Sequence, residues 1–60
     1  MANAYDVHMS TGKVHPVTTQ YHHSDYSEAE FRQIIQRILD NATSQVISGS
    51  IVRIIFKSRV

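Results

Sequence analysis

Four histidines, His8, His15, His22 and His23, are the side chains whose chemistry invites the first test. A structural zinc site needs four ligands held tetrahedrally, and the imidazole nitrogen is a common one. The spacing argues against such a site. His22 and His23 are adjacent, so in an extended segment their side chains diverge, and no HxxxH or HxH pair sits on a regular element. The best arrangement that can be built sets His8 against His15 across a hairpin, with Asp6 or Asp25 nearby. No metal or other cofactor is expected, and solvated hairpin histidines are the plainer reading. Serine, histidine and aspartate all occur, but a triad needs a nucleophile, a base and an orienting group fixed in one pocket. A chain of 60 residues with one helix has little volume for a cleft of even about 300 Å³. No enzymatic activity is expected.

The remaining chemistry is charge. Arg53, Lys57 and Arg59 lie near the end of the chain, with Arg32 and Arg37 further back. Arg53 and Lys57 on one strand face could grip phosphates while Tyr5 or Tyr21 stacks on bases. Cations on a surface strand also serve solubility and discourage edge pairing. The formal charge of +1 creates no field that implies nucleic acid or a membrane. No helix-turn-helix, aromatic RNP pair or arginine-rich arm is present.

These side chains are positioned by a short series of elements organised around Ser27 to Ala42. Phe31, Ile34, Ile35, Ile38, Leu39 and Ala42 form one stripe at helical spacing. Ser27 and Glu30 have capping-box spacing, with Asp25 as a rival N-cap, and Tyr26 and Phe31 occupy the positions of a hydrophobic staple. Glu28 and Glu30 suit the helix dipole, and Glu28 pairs in spacing with Arg32. Asn41 is the best residue for a left-handed C-cap.

Before the helix, residues 1–4 read as a disordered start. Tyr5 to Met9 alternates with the period of a half-buried strand. Gly12 supplies a hairpin turn, and Val14 to Tyr21 has β composition with Val17, Thr19 and Tyr21 on one face. Pro16 makes this second strand an edge or bulges it, unless residues 16–20 are extended loop. After the helix, Val46-Ile47 has strand character, and Ser48-Gly49-Ser50 interrupts it with a turn or bulge. Ile51 to Arg59 is the most β-rich stretch. Strict alternation places Val52, Ile54 and Phe56 on one face and Ile51, Arg53, Ile55 and Lys57 on the other.

The expected fold is α+β, in the order ββαβ: a three-stranded antiparallel sheet with one amphipathic helix on one face. Residues 1–60 form a single small domain. One helix covers one sheet face, so Ile51, Arg53 and Ile55 are expected in a homodimer interface, closed with two-fold symmetry. Such a dimer would reinforce a core that, at this length, buries only about 60% of the unfolded surface. The absence of cysteine fits a reducing cytoplasm. The N-terminus lacks the basic and apolar regions of a signal peptide, and no apolar run is long enough to span a membrane.

Tyr5-Asp6-Val7 with Met9, Tyr21-His22, Ser27 with Phe31, and Ile51-Val52-Arg53 together resemble the small dimeric uracil-DNA glycosylase inhibitors of some Bacillus phages. The hairpin, helix, strand order is similar as well. The resemblance implies a phage protein that mimics DNA and binds a glycosylase, blocking its DNA-binding site. In that family a hydrophobic pocket captures the side chain that the enzyme inserts into DNA. Carried over, Tyr26, Glu28, Glu30, Phe31 and Ile35 become the partner-binding residues. Ile35 stands where the family has a second aromatic, and Arg32 where it has an acid. A nucleic-acid-binding or regulatory module using Arg53, Lys57 and Arg59 is the alternative, and a purely structural accessory protein a third.

Overall fold

The computed structural model describes residues 1–42 and 47–60. Strands β1 (Asn3–Met9) and β2 (Val14–Thr19) form a hairpin, helix α1 spans Glu28–Ala42, and β3 (Ile51–Arg59) returns to the sheet. The strand order is β2-β1-β3 with both pairings antiparallel. This is the α+β, ββαβ arrangement, with α1 packed on one face. The expected strand at Val46 lies outside the described residues. Ile47 is not in a strand, but packs against the core from the loop.

The core is the contact between odd-numbered residues of β1 and one stripe of α1. Tyr5, Val7 and Met9 point to the helix side with Val17, and meet Phe31, Ile35 and Leu39. The helix begins as its sequence dictates. The Ser27 hydroxyl accepts from the Glu30 amide at 3.2 Å, and the Glu30 carboxylate accepts from the Ser27 amide at 3.2 Å. The Tyr26 and Phe31 rings lie 6.4 Å apart, completing the staple. Its end differs from expectation. Asn41 remains within the helix, and no described residue other than glycine has positive φ, so Asn41 is not a left-handed cap.

Backbone hydrogen bonds assign each edge of β1. Met9 donates to Lys13 O at 2.9 Å and accepts from Gly12, so odd positions face β2. Ala2 and Val60 exchange bonds of 3.0 and 2.9 Å, so even positions face β3. Pro16 stands opposite Asp6, an even position. Its nitrogen therefore points to the outer edge, where no ladder donor is required, and β2 runs through it unbroken.

Two corrections concern the strands. Residues 1–4 are not a loose end: β1 begins at Asn3, and Asn3 is buried. Its amide nitrogen bonds the carbonyls of Thr19, Gln20 and Tyr21 at 3.4, 3.3 and 3.2 Å. A polar anchor of this kind leaves no trace in hydrophobic periodicity. The second correction is to the faces of β3. Register shifts fall between Ala4 and Tyr5 and between His8 and Met9, leaving Lys57 and Val52 as the extra residues. Each extra residue inverts the alternation beyond it. Ile54 and Phe56 stand opposite Val7 and Tyr5, and Ile51 stands opposite Met9. Ile51 is only 6% exposed, in the core rather than on the open face, while Val52 is 56% exposed. Half of the apolar surplus expected on the open face is thereby absorbed.

Candidate binding groove

After Thr19 the chain leaves the outer edge of the hairpin, crosses the end of β1 and arrives beside β3. Tyr5 fixes this crossing. Its hydroxyl donates to Tyr21 O and accepts from the His23 amide, both at 3.0 Å. The crossing carries His22 and His23 onto Phe56, with ring centroids at 5.5 and 5.6 Å. The two imidazoles stack on one another at 4.6 Å. They do not diverge, because the chain bends between them: His22 is extended and caps the 3-10 turn His23–Asp25. His22 Nδ1 accepts from the Ser24 amide at 3.2 Å.

Where α1 starts, the helix and β3 do not close over one another. A groove of about 360 Å³ remains between them, larger than the length of the chain led us to expect. Tyr5, Phe31 and Ile51 are buried beneath it, and Ile54 and Phe56 form its β3 wall. His23, Glu28, Arg32 and Arg53 stand around it. The centroids of Tyr5 and Phe31 are 5.1 Å apart, and those of Tyr5 and Phe56 5.5 Å, so the floor is a continuous aromatic surface. Phe56 is 39% exposed, a large apolar area to leave in water.

Of the partner-binding residues expected from sequence, Phe31 and Glu28 line this groove. Tyr26 is exposed beside its entrance, with its ring 5.9 Å from that of Tyr21. Glu30 is exposed but engaged with Ser27. The Ser27 hydroxyl first, and its backbone amide second, hold the Glu30 carboxyl below its ordinary value. Ile35 is fully buried and does not reach the groove: it sits one turn further along α1, against the middle of the sheet. Of the residues expected to form a dimer interface, Ile51 is in the core, Ile55 is half-buried opposite Asp6, and Arg53 is exposed opposite His8.

Phe56 and His23 are groove residues that the sequence does not single out for a pocket. Phe56 had been placed on the core face, but which residues leave a core face uncovered depends on where the helix lies across it. His23 reaches the site only through the crossing.

The other candidate chemistry does not assemble. His8 stands opposite Val14 and His15 opposite Val7, so the two histidines point to opposite faces of the hairpin. Among the described residues no three histidine or carboxylate side chains converge to hold a metal ion. Among them, too, the one ion pair is Lys57 with Asp6, at 3.6 Å, so Glu28 and Arg32 do not meet. No described helix is long and apolar enough to cross a membrane. Comparison of the chain with known protein families, with curated proteins and with solved structures finds no match.

Proposed function

We propose that this chain is a non-catalytic protein-binding module that accepts an apolar side chain of its partner in the groove between α1 and β3. The observation that carries the reading is the groove in which Phe56 stands exposed against the buried rings of Tyr5 and Phe31. Burying a leucine-sized side chain there is favourable by about 1.5–3 kcal/mol.

Its most concrete form is a phage-encoded inhibitor of uracil-DNA glycosylase that receives the side chain the enzyme inserts into DNA. Glu28 at the groove, with Glu30 and Tyr26 nearby, would then face the enzyme's DNA-binding surface. Ile35 drops out of the set because it lies beneath the helix. A homodimer belongs to the same reading, built on Arg53 and Ile55 of the open face without Ile51. The test is uracil excision from an oligonucleotide by a bacterial glycosylase, with this protein titrated in at two salt concentrations. Stoichiometric, salt-tolerant inhibition without binding to the oligonucleotide is expected. No inhibition at large excess would dismiss the glycosylase as target.

The second reading, a nucleic-acid-binding module, draws support from the exposed Phe56 with stacked His22 and His23 beside Arg53 and Arg59. Bases stack on such rings, and phosphate contacts weaken steeply with salt. Direct binding of the oligonucleotide that collapses at the higher salt would favour it.

A further inference from the structure

The groove shares its β3 wall with an open sheet edge, and the two together specify a shape of partner. In the order β2-β1-β3, β3 is an edge strand of nine residues, Ile51–Arg59. Even-numbered residues of β1 face β3, and their partners Ser58, Ile55 and Arg53 turn their backbone groups inward. Arg59, Phe56 and Ile54 stand opposite odd positions, so their N–H and C=O groups point outward. Among the described residues no strand pairs with that edge. The other edge is differently made: β2 is shorter and carries Pro16 at its outer side. Proline blunts an edge; β3 has none, and its two extra residues, Val52 and Lys57, leave Arg53, Ile54, Ile55 and Phe56 between them in regular pairing.

An outward row of alternating donors and acceptors is matched only by another extended polypeptide backbone. A strand added to β3 would place alternate side chains beside Ile54 and Phe56, over the groove. Charge decides what kind of strand. β3 holds Arg53, Lys57 and Arg59 and no acidic residue. Lys57 is paired with Asp6, while Arg53 shares the groove with Glu28 and Arg59 a shallow hollow with Asp25, neither in an ion pair among the described residues. A second copy pairing antiparallel through this edge would bring three cations of each chain together, and like charges across a strand pair oppose association.

We propose that the outer edge of β3 accepts an extended acidic segment of a partner protein as a fourth strand, with one apolar side chain of that segment seated against Phe56. This rests on the protein-binding reading of the groove, and is independent of whether the partner is a glycosylase.

The probe is a fluorescein-labelled nonapeptide alternating glutamate with valine around a central leucine, followed by anisotropy. The same peptide with lysine for glutamate and a short oligothymidylate serve as competitors of different chemistry. The glutamate peptide is expected to bind at least about tenfold more tightly than the lysine peptide at low salt. Amide hydrogen exchange is expected to slow at Ile54 and Phe56 on binding, with the β2 amides unchanged. In the exposed double variant Arg53→Glu/Arg59→Glu the peptide preference should invert. Absence of saturable glutamate-peptide binding would overturn the proposal, as would protection at β2 in place of β3, or binding of oligothymidylate alone. Peptide binding with the expected protection, in a protein that leaves uracil excision untouched, would uphold the edge site while removing the glycosylase.

Discussion

Ile35→Ala separates a core residue from a partner-binding one. Ile35 is 0% exposed, between Phe31 and Leu39 on the buried stripe of α1. The substitution removes three carbons, a transfer loss of about 2.4 kcal/mol at about 0.8 kcal/mol each. A residual void of about 50 Å³ adds about 1 kcal/mol at about 24 cal/mol per Å³. The sum, about 3–4 kcal/mol, must be set against the whole stability of the domain. For 60 residues that is about 3–9 kcal/mol at about 0.05–0.15 kcal/mol per residue. The variant is therefore expected to lose between about a third and all of the domain's stability, unfolding at 25 °C only if the wild type lies near the low end of that range. Ile35→Val, losing one methyl, costs about 0.5–1.5 kcal/mol and folds. Urea unfolding followed by circular dichroism measures both, and an unchanged m-value would place the loss in the native state. A cost below about 1 kcal/mol for Ile35→Ala would refute the reasoning. So would loss of partner binding at unchanged stability, because it would return Ile35 to the surface that partners touch.

Three further outcomes follow from particular contacts. Gly12 and Gly49 both have positive φ, +91° and +88°, but a Cβ at Gly12 meets nothing whereas one at Gly49 lies 2.6 Å from Ser10 Oγ. Gly12→Ala should cost about 1–2 kcal/mol from the backbone alone. Gly49→Ala should cost about 1 kcal/mol more, because it displaces the hydroxyl that accepts from the Ser50 amide at 2.9 Å. Paired thermal melts of the two variants check the difference, and equal losses would contradict it. Tyr5→Phe leaves Tyr21 O and the His23 amide without their shared partner, at a cost of about 1–3 kcal/mol. Faster amide exchange at His23, with the helix amides unaffected, would show that the loss is local to the crossing. Ser27→Ala removes the hydroxyl that helps depress Glu30, so Glu30 should titrate at higher pH in the variant, measured by NMR. The depressed carboxyl contributes stability that is complete above its unfolded value, about pH 4.3. That contribution fades as pH falls through the lower folded value, so the wild-type advantage over Ser27→Ala should shrink in acid.

What the chain alone determined was local. The capping box and staple at Ser27, Glu30, Tyr26 and Phe31 form as their spacing requires, because each contact joins residues within one helical turn or so. The stripe of Phe31, Ile35 and Leu39 and the alternation of Tyr5, Val7 and Met9 are periodic signals, and periodicity alone places them in one core. From those elements the ββαβ order was legible.

The tertiary structure decided the rest, wherever the outcome depends on a neighbour distant in sequence. Val52 and Lys57 became extra residues only through the register of β3 on β1, and that register moved Ile51 from the open face into the core. Asn3 joined a strand because the amide it carries finds three carbonyls at the crossing. The groove itself is a space between α1 and β3, so it belongs to no segment. Its floor joins Tyr5, Phe31 and Phe56 from three elements, and its rim receives His23 because Tyr5 holds the crossing in place. Sequence periodicity reports which face of an element is apolar; where two such faces fail to meet, and so leave room for a partner, is set by their packing.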